Sequence, residues 1–255
     1  MLEFVKFIQS GEVVAFVLLF FRFGALFLAA PIFSHTTIPI TQKAMMAFFF
    51  SVIFFSFVPP LTIEINVASI VIAILGEIFF GLAIGVLLQL AYNAITFAGG
   101  IISYMMGFSM ATAIDPQNGV SMPIISQFLS FIALMILFVL DFHHWLIIYI
   151  SHSLSYVPLG TFMLKQTMFS DIMLAASNMF LVGFMIAFPI TALVLLSDII
   201  FGMIMKTMPQ FNLLVIGFPI KIFISFVVLI AVLVSMITVF KDNILNGFNI
   251  LEMFF

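Results

Sequence analysis

The chain has very little charge for its length. Only 7% of its 255 residues are Asp, Glu, Lys or Arg, whereas a soluble domain carries about 25%. With 65% hydrophobic residues, it has too few charged side chains to cover a water-facing surface. The composition therefore excludes a soluble protein and predicts an integral membrane protein that contacts membrane lipids.

The sequence also lacks cysteine entirely. This absence excludes disulfides, thiolate nucleophiles and thiolate metal sites. The few charges sum to −3 and are scattered singly, so there is no basic cluster of the kind that binds nucleic acid or anionic lipid headgroups. Nucleic acid is therefore not expected as a partner.

Catalytic motifs are missing as well. The sequence contains no Gly-x-Ser-x-Gly elbow, phosphate loop, dinucleotide fingerprint or His-Glu-x-x-His zinc motif. The nearest approach to a catalytic or metal cluster is Asp141-Phe142-His143-His144-Trp145. Adjacent histidines on a helix point to different faces, so we favour a membrane-interface position with Trp145 and Tyr149 in the aromatic belt. We expect no enzymatic activity, no cofactor and no metal.

Long apolar stretches dominate the rest of the chain, and a helix that crosses the hydrocarbon core needs about 20 such residues. Six regions approach this length: 13–33, 44–58, 67–106, 124–150, 172–205 and 212–240. We expect the third region to be two helices or one helix with a break near Gly99-Gly100. The second is short enough to be a re-entrant segment or a helix packed on neighbouring helices instead of lipid. Pro189 and Pro219 are expected to kink or break their helices. The sequence predicts an all-α, polytopic membrane protein with broken and kinked helices, forming a single domain over residues 1–255.

Four charges lie inside these apolar regions, namely Arg22, Glu77, Asp198 and Lys221. Each costs about 2.5–3.5 kcal/mol at a helix centre, so each is expected to face protein. A proton relay or ion path is one interpretation. We favour structural pairing because the four are scattered along the chain, and we expect Glu77 to pair with Arg22 or Lys221.

Glycines surround one of these charges. Gly81 and Gly85 follow Glu77 with the four-residue spacing that lets two membrane helices approach closely. This pattern predicts helix packing and not chemistry.

One irregular segment, Gly107 to Pro123, separates two apolar stretches. It combines glycines and prolines with small or flexible side chains, including Ser109, Met110, Asp115, Pro116 and Met122. Non-helical backbone at membrane depth is tolerated only where protein buries it or a water-filled cavity lies beside it. The segment is therefore the first candidate for a channel, a gate or a binding site. Its methionines suit a compliant contact, although simple filling of irregular helix contacts explains them equally well.

Several short motifs also follow one another in an order shared with one known family. They are, in chain order, Arg22-Phe23-Gly24, Ala30-Pro31-Ile32-Phe33, Glu77 with Gly81 and Gly85, Met106-Gly107-Phe108-Ser109 leading to Asp115-Pro116, Gln127-Phe128, Asp141 with His143, Pro158-Leu159-Gly160, Met208-Pro209-Gln210-Phe211-Asn212 and Gly217-Phe218-Pro219-Ile220-Lys221. Over essentially its whole length, the chain resembles the FliR family, the flagellar members of the type III secretion export-gate proteins. The last two motifs are the most specific, and they favour the flagellar over the injectisome branch.

The resemblance implies a core channel-forming component of the flagellar export gate, a multi-pass protein of the bacterial inner membrane and the flagellar basal body. It implies assembly with FliP- and FliQ-type subunits into a helical complex, with FlhB- and FlhA-type neighbours and unfolded flagellar subunits as cargo. Some apolar helices are then expected to be buried in the complex without crossing lipid. Gly107 to Pro123 matches the loop that plugs the channel in this family, with Gly107, Phe108, Ser109, Met110, Asp115, Pro116 and Met122 as its plug residues.

The broken helices and buried charges also fit a different class of protein, a secondary transporter for a small solute. That alternative predicts a compact polar site and activity from this chain alone. The export-gate interpretation predicts a chain that depends on its partners.

Overall fold

The structure is a computed structural model that describes residues 11–34, 38–61, 63, 66–108, 123–163, 166–208 and 213–252. It is 87% helical, and no strand occurs in the ranges just given. The helices are α1 Glu12–Ala29, α2 Ile40–Phe54, α3 Val67–Met106, α4 Ile124–Val139, α5 Phe142–Tyr156, α6 Gln166–Thr207 and α7 Phe218–Glu252. A 3₁₀ turn, Phe55–Phe57, extends α2, and a π-helical segment, Leu213–Gly217, precedes α7.

Five of these helical stretches are long and apolar enough to cross a membrane, and the bent pair α4 and α5 brings the number to six if it counts as one span. The prediction of an all-α polytopic membrane protein is confirmed. The two helices of the pair meet at 59°. Between them, Asp141 has a φ of 53°, a left-handed conformation that ends one helix before the next begins.

The expected break near Gly99-Gly100 was wrong. Helix α3 runs without interruption through Gly99-Gly100. The reason is packing: a Cβ on Gly99 would lie 2.5 Å from the Cα of Ser126, so this glycine permits close helix approach without breaking its helix. Helix α6 continues through Pro189 without a break. At Pro219 the helix changes type, because the π-helical segment Leu213–Gly217 ends directly before Phe218 and α7 continues from there.

The chain divides into two compact units, and α3 passes from one into the other. The first unit comprises Met1–Leu90, Leu137–Ala175 and Asn246–Phe255. Its core includes an aromatic cluster in which Phe23 and Phe27 of α1 meet Phe50 of α2, with ring centroids 5.4–5.7 Å apart. Edge-to-face and tilted pairs of this kind give α1 and α2 a dense contact.

The second unit comprises Ala91–Ile136 and Ala176–Leu245. Here Phe97 of α3 packs edge-on against Phe180 and Phe184 of α6. A Cβ on Gly183 would lie 2.6 Å from the Phe97 ring, so the phenylalanine fits only because residue 183 has no side chain. Asn243 of α7 donates from Nδ2 to a carbonyl of α3, at 2.8 Å.

Much of the apolar surface of α6 and α7 is left exposed. The exposed large side chains include Phe180, Leu181, Phe184, Met185, Phe188, Leu195, Leu196, Ile199, Ile200 and Met203 on α6, and Phe223, Val227, Ile230 and Val234 on α7. Exposed apolar side chains in this number mark contact with lipid or with another chain.

Candidate functional site

A buried arginine organises the first unit. Arg22 lies on the inner face of α1 with no solvent exposure, and it donates from Nε and Nη2 to the two carboxylate oxygens of Glu77. Nη1 donates to Ser153 Oγ at 3.1 Å, and Nη2 also donates to the carbonyl oxygen of Val157 at 3.0 Å. The guanidinium carbon lies 4.6 Å from the centre of the Phe80 ring, within the range of a cation–π contact.

Glu77 has a further partner in the turn after α5. Its Oε1 accepts a hydrogen bond from the backbone N–H of Gly160 at 2.8 Å. Gly160 has a φ of +80°, which only glycine adopts without strain. The ion pair thus ties α1 and α3 to Pro158-Leu159-Gly160 of the turn.

This geometry favours a structural role for the pair. A bidentate arginine–carboxylate pair is strong and geometrically fixed, and both side chains are fully enclosed by protein. A relay needs a group that exchanges protons with water, and neither partner reaches it. Lys221, the other partner predicted for Glu77, pairs elsewhere.

Gly81 and Gly85 continue the face of α3 that carries Glu77. A Cβ on Gly81 would lie 2.5 Å from the carbonyl oxygen of Arg22, and one on Gly85 would lie 2.4 Å from the Cβ of Ala29. Real Cβ atoms essentially never approach so closely. The two glycines therefore set the distance between α3 and α1, and with it the reach of Arg22 to Glu77.

A second ion pair joins two helices of the second unit. Lys221 Nζ of α7 lies 2.9 and 3.0 Å from the carboxylate oxygens of Asp198 on α6. The lysine side chain is 12% exposed and the aspartate 47%. A charge pair therefore lies partly uncovered on an otherwise apolar surface.

Removing one member of this pair is expected to lower the amount of chain in the membrane more than removing both. Lys221→Met leaves the Asp198 carboxylate without its counter-ion in an apolar segment, where an unpaired charge costs about 2.5–3.5 kcal/mol. The amount of chain in the membrane fraction should fall for Lys221→Met and recover in the double variant Asp198→Asn/Lys221→Met. Lys241→Met, which alters an exposed lysine of the same helix, serves as the control. Equal loss in the single and double variants would contradict the expectation.

Of the segment from Gly107 to Pro123, the structure describes Gly107, Phe108 and Pro123. Gly107 has a φ of +91°, and a Cβ there would lie 3.0 Å from the Phe218 ring. Phe108 packs edge-on against Phe226 of α7, at 6.3 Å between ring centroids. The other predicted plug residues, namely Ser109, Met110, Asp115, Pro116 and Met122, lie outside the described residues.

The histidine pair at the start of α5 is more compact than expected. The rings of His143 and His144 lie 4.2 Å apart, although we expected adjacent histidines to point to different faces. His144 Nδ1 is 3.4 Å from a carboxylate oxygen of Asp141, and ligand atoms of all three residues lie within 4.8 Å of one another. Two of the three side chains are exposed, and His143 Nδ1 is buried without a hydrogen-bond partner among the described residues.

Comparison with known proteins agrees with this architecture. Residues 13–247 match the family model described as "Bacterial export proteins, family 1". The chain is 34% identical to the flagellar biosynthetic protein FliR of Bacillus subtilis (strain 168), over 91% of this chain and 90% of that protein. The chain belongs to the FliR family. It is 31% identical to FliR of Escherichia coli (strain K12), over 90% of this chain and 88% of that protein. It is 22% identical to FliR of Aquifex aeolicus (strain VF5), over 94% of this chain and 93% of that protein.

Membership of the FliR family confirms the family predicted from the motifs and gives the chain a role in the flagellar export apparatus. The relatives are named as biosynthetic and export proteins and not as an enzyme family. Together with the apolar helices, this describes a multi-pass membrane protein of flagellar protein export.

The sequence did not reveal every partner in the hydrogen-bond network around Arg22 and Glu77. In the sequence, Pro158-Leu159-Gly160 stands only as a motif shared with the family, yet Gly160 donates a hydrogen bond to Glu77, and the carbonyl oxygen of Val157 accepts one from Arg22. Backbone N–H and carbonyl groups are the same in nearly every residue, so the sequence does not indicate which of them bind Arg22 and Glu77. The glycine after the proline was the one available hint, because glycine supplies the positive φ of such turns.

Proposed function

We propose that this chain is a core channel-forming component of the flagellar type III export gate in the bacterial inner membrane, at the flagellar basal body. Its task is to help export unfolded flagellar subunits. The observation that carries the proposal is the extensive apolar surface on α6 and α7, in a chain that belongs to the FliR family. Such a surface is what a subunit buries against neighbouring helices of a larger assembly.

The half-exposed Asp198 supports protein, and not lipid alone, as the neighbour of this surface. A carboxylate facing hydrocarbon is unfavourable, and 47% of the Asp198 side chain is uncovered even with Lys221 bound to it. A neighbouring subunit that presents a donor to the free side of Asp198 removes this penalty. FliP- and FliQ-type subunits are the proposed neighbours, with FlhB- and FlhA-type proteins beside the assembled gate.

Co-expression tests this partner dependence. The chain, produced alone and with FliP- and FliQ-type proteins, is purified in mild detergent and its amount and thermal stability are compared. We expect a stable complex with the partners and a poorly accumulating chain without them. A chain that is stable alone and transports a small solute in vesicles would instead favour the secondary-transporter alternative.

Within this function, we propose that residues 107–123 obstruct the closed channel and move aside during export. The segment leaves α3 through a positive-φ glycine that no other residue replaces without strain. Its first side chain, Phe108, packs on α7, so the start of the segment is anchored to the helix bundle. A segment whose sequence interrupts the apolar pattern, and whose start is anchored in this way, suits a plug.

Deleting residues 111–121 is expected to raise the passive leakage of small solutes through the assembled complex by more than tenfold, because the obstruction is removed. The measurement is the release of a trapped dye from vesicles that contain the purified complex. A variant with an equally long Gly/Ser stretch in place of these residues tests whether bulk alone suffices, and co-purification with both partners checks that each variant assembles. An assembled deletion variant as tight as the parent complex would remove the plug role.

A further inference from the structure

One lysine of the first unit is largely buried and has no partner among the residues that the structure describes. Lys43 lies in the first turn of α2 and is only 9% exposed. Its ammonium forms no hydrogen bond or ion pair with any residue that the structure describes. A lysine head set among apolar side chains, with no acidic partner among the described residues, favours a bound anion.

Lys43 faces a crevice between three helices. The crevice has a volume of about 280 Å³ and is lined by apolar residues of α1, α2 and α3, with Lys43 as its single charged residue. Phe20, Phe21 and Leu28 come from α1, and Ile78 and Leu82 from α3. The crevice therefore combines one positive charge with a long apolar wall.

The N-terminus of α2 adds to the positive charge near Lys43. Pro39 precedes the helix, and no side chain caps its first turn. A helix N-terminus carries a partial positive charge and exposed N–H groups, which attract an anion and repel the lysine. An anion placed between Lys43 and this helix end is stabilised by both.

We propose that the crevice binds an anionic phospholipid, with its phosphate at Lys43 and the start of α2 and one acyl chain along α1 and α3. A phospholipid matches both halves of the site, since a phosphate accepts from the ammonium and an acyl chain fills the apolar wall. A carboxylate from a neighbouring protein satisfies only the charged half. The inference does not depend on the channel and plug roles. A single lysine is not a basic cluster, so the sequence pattern did not indicate this site.

Native mass spectrometry of the purified complex tests the site. Dioleoyl phosphatidylglycerol or dioleoyl phosphatidylcholine is added in detergent, and we expect one phosphatidylglycerol to be retained per copy of this chain in preference to phosphatidylcholine. Lys43→Met is expected to weaken this retention about fivefold, as for the loss of one lysine contact with an anionic lipid. Lys43→Arg should keep it. Inorganic phosphate at millimolar concentration should not displace the lipid, because it lacks the acyl chain.

Two further variants complete the test. Gly24 lines the crevice, and a Cβ on it meets nothing closer than the Ala47 side chain at 3.9 Å, so Gly24→Leu fills the crevice without a backbone clash and should abolish retention while leaving Lys43 in place. Lys206→Met, which alters an exposed lysine, should leave retention unchanged. Equal retention of both lipids by the parent complex, or undiminished retention in Gly24→Leu and Lys43→Met, would overturn the proposal. So would a crosslink from Lys43 to a carboxylate of a partner subunit in the lipid-loaded complex.

Discussion

Replacing Glu77 with leucine is expected to prevent the chain from accumulating in the membrane. The substitution leaves the fully buried Arg22 without its counter-charge and the Gly160 N–H without its acceptor. Breaking a buried pair on one side costs about 3–5 kcal/mol, a large part of the about 5–15 kcal/mol that stabilises a typical domain. The amount of chain in the membrane fraction and its thermal stability in detergent measure the loss.

The matched control removes both charges. In Arg22→Met/Glu77→Leu, no uncompensated charge remains, and replacing a buried pair by apolar residues is often nearly neutral. The double variant should therefore recover most of the stability that Glu77→Leu loses. The reversed pair, Arg22→Glu/Glu77→Arg, should recover only part of it, because the exchanged arginine cannot accept from Gly160. If the double apolar variant were as unstable as Glu77→Leu, charge burial would not be the cause.

Adding a single methyl group at Gly81 is expected to have the second largest effect. In Gly81→Ala the new Cβ would meet the carbonyl oxygen of Arg22 at 2.5 Å and the Cβ of Ala25 at 2.8 Å. Backbone atoms of a packed helix do not yield as a flexible side chain does, so α1 must move away from α3. Overpacking of this kind costs about 1–3 kcal/mol, and here it also draws Arg22 away from Glu77. A lower thermal unfolding temperature in detergent is the expected readout.

Gly100 offers the control for this substitution in the same helix. A Cβ there meets no atom within 4 Å, so Gly100→Ala adds the same methyl group in open space. Alanine is the better helix former by about 1 kcal/mol in water, and the variant should be as stable as the parent or slightly more so. Equal unfolding temperatures for Gly81→Ala and Gly100→Ala would show that close approach at Gly81 is unimportant.

Composition and spacing predicted the helical membrane class and the close packing at Gly81 and Gly85 because these depend on residue type alone. For Glu77 the sequence left two candidate partners, Arg22 and Lys221, and the structure shows that the partner is Arg22. It took three-dimensional packing to choose between them, since the sequence distance to a partner carries no information about contact. The same limit applies to Lys43, whose burial depends on how three helices meet.

Helix breaks were less predictable, and for a physical reason. Glycine and proline were expected to mark interruptions, yet Gly99 serves a close contact and Pro189 lies inside a continuous helix. The bend of 59° occurs instead where Asp141 adopts a left-handed conformation. No glycine or proline marks this position in the sequence. Long apolar neighbours favour helix strongly enough in a membrane to override local breaking tendencies.

The buried ion pair also has a consequence for the order of events during synthesis. Arg22 leaves the ribosome 55 residues before Glu77 and 135 residues before Val157. At about 5–20 residues per second, roughly ten seconds separate the arginine from the last of its partners. During that interval the guanidinium needs water or a temporary counter-charge. We therefore expect α1 to reach its final packing only after the turn at Gly160 has been synthesised.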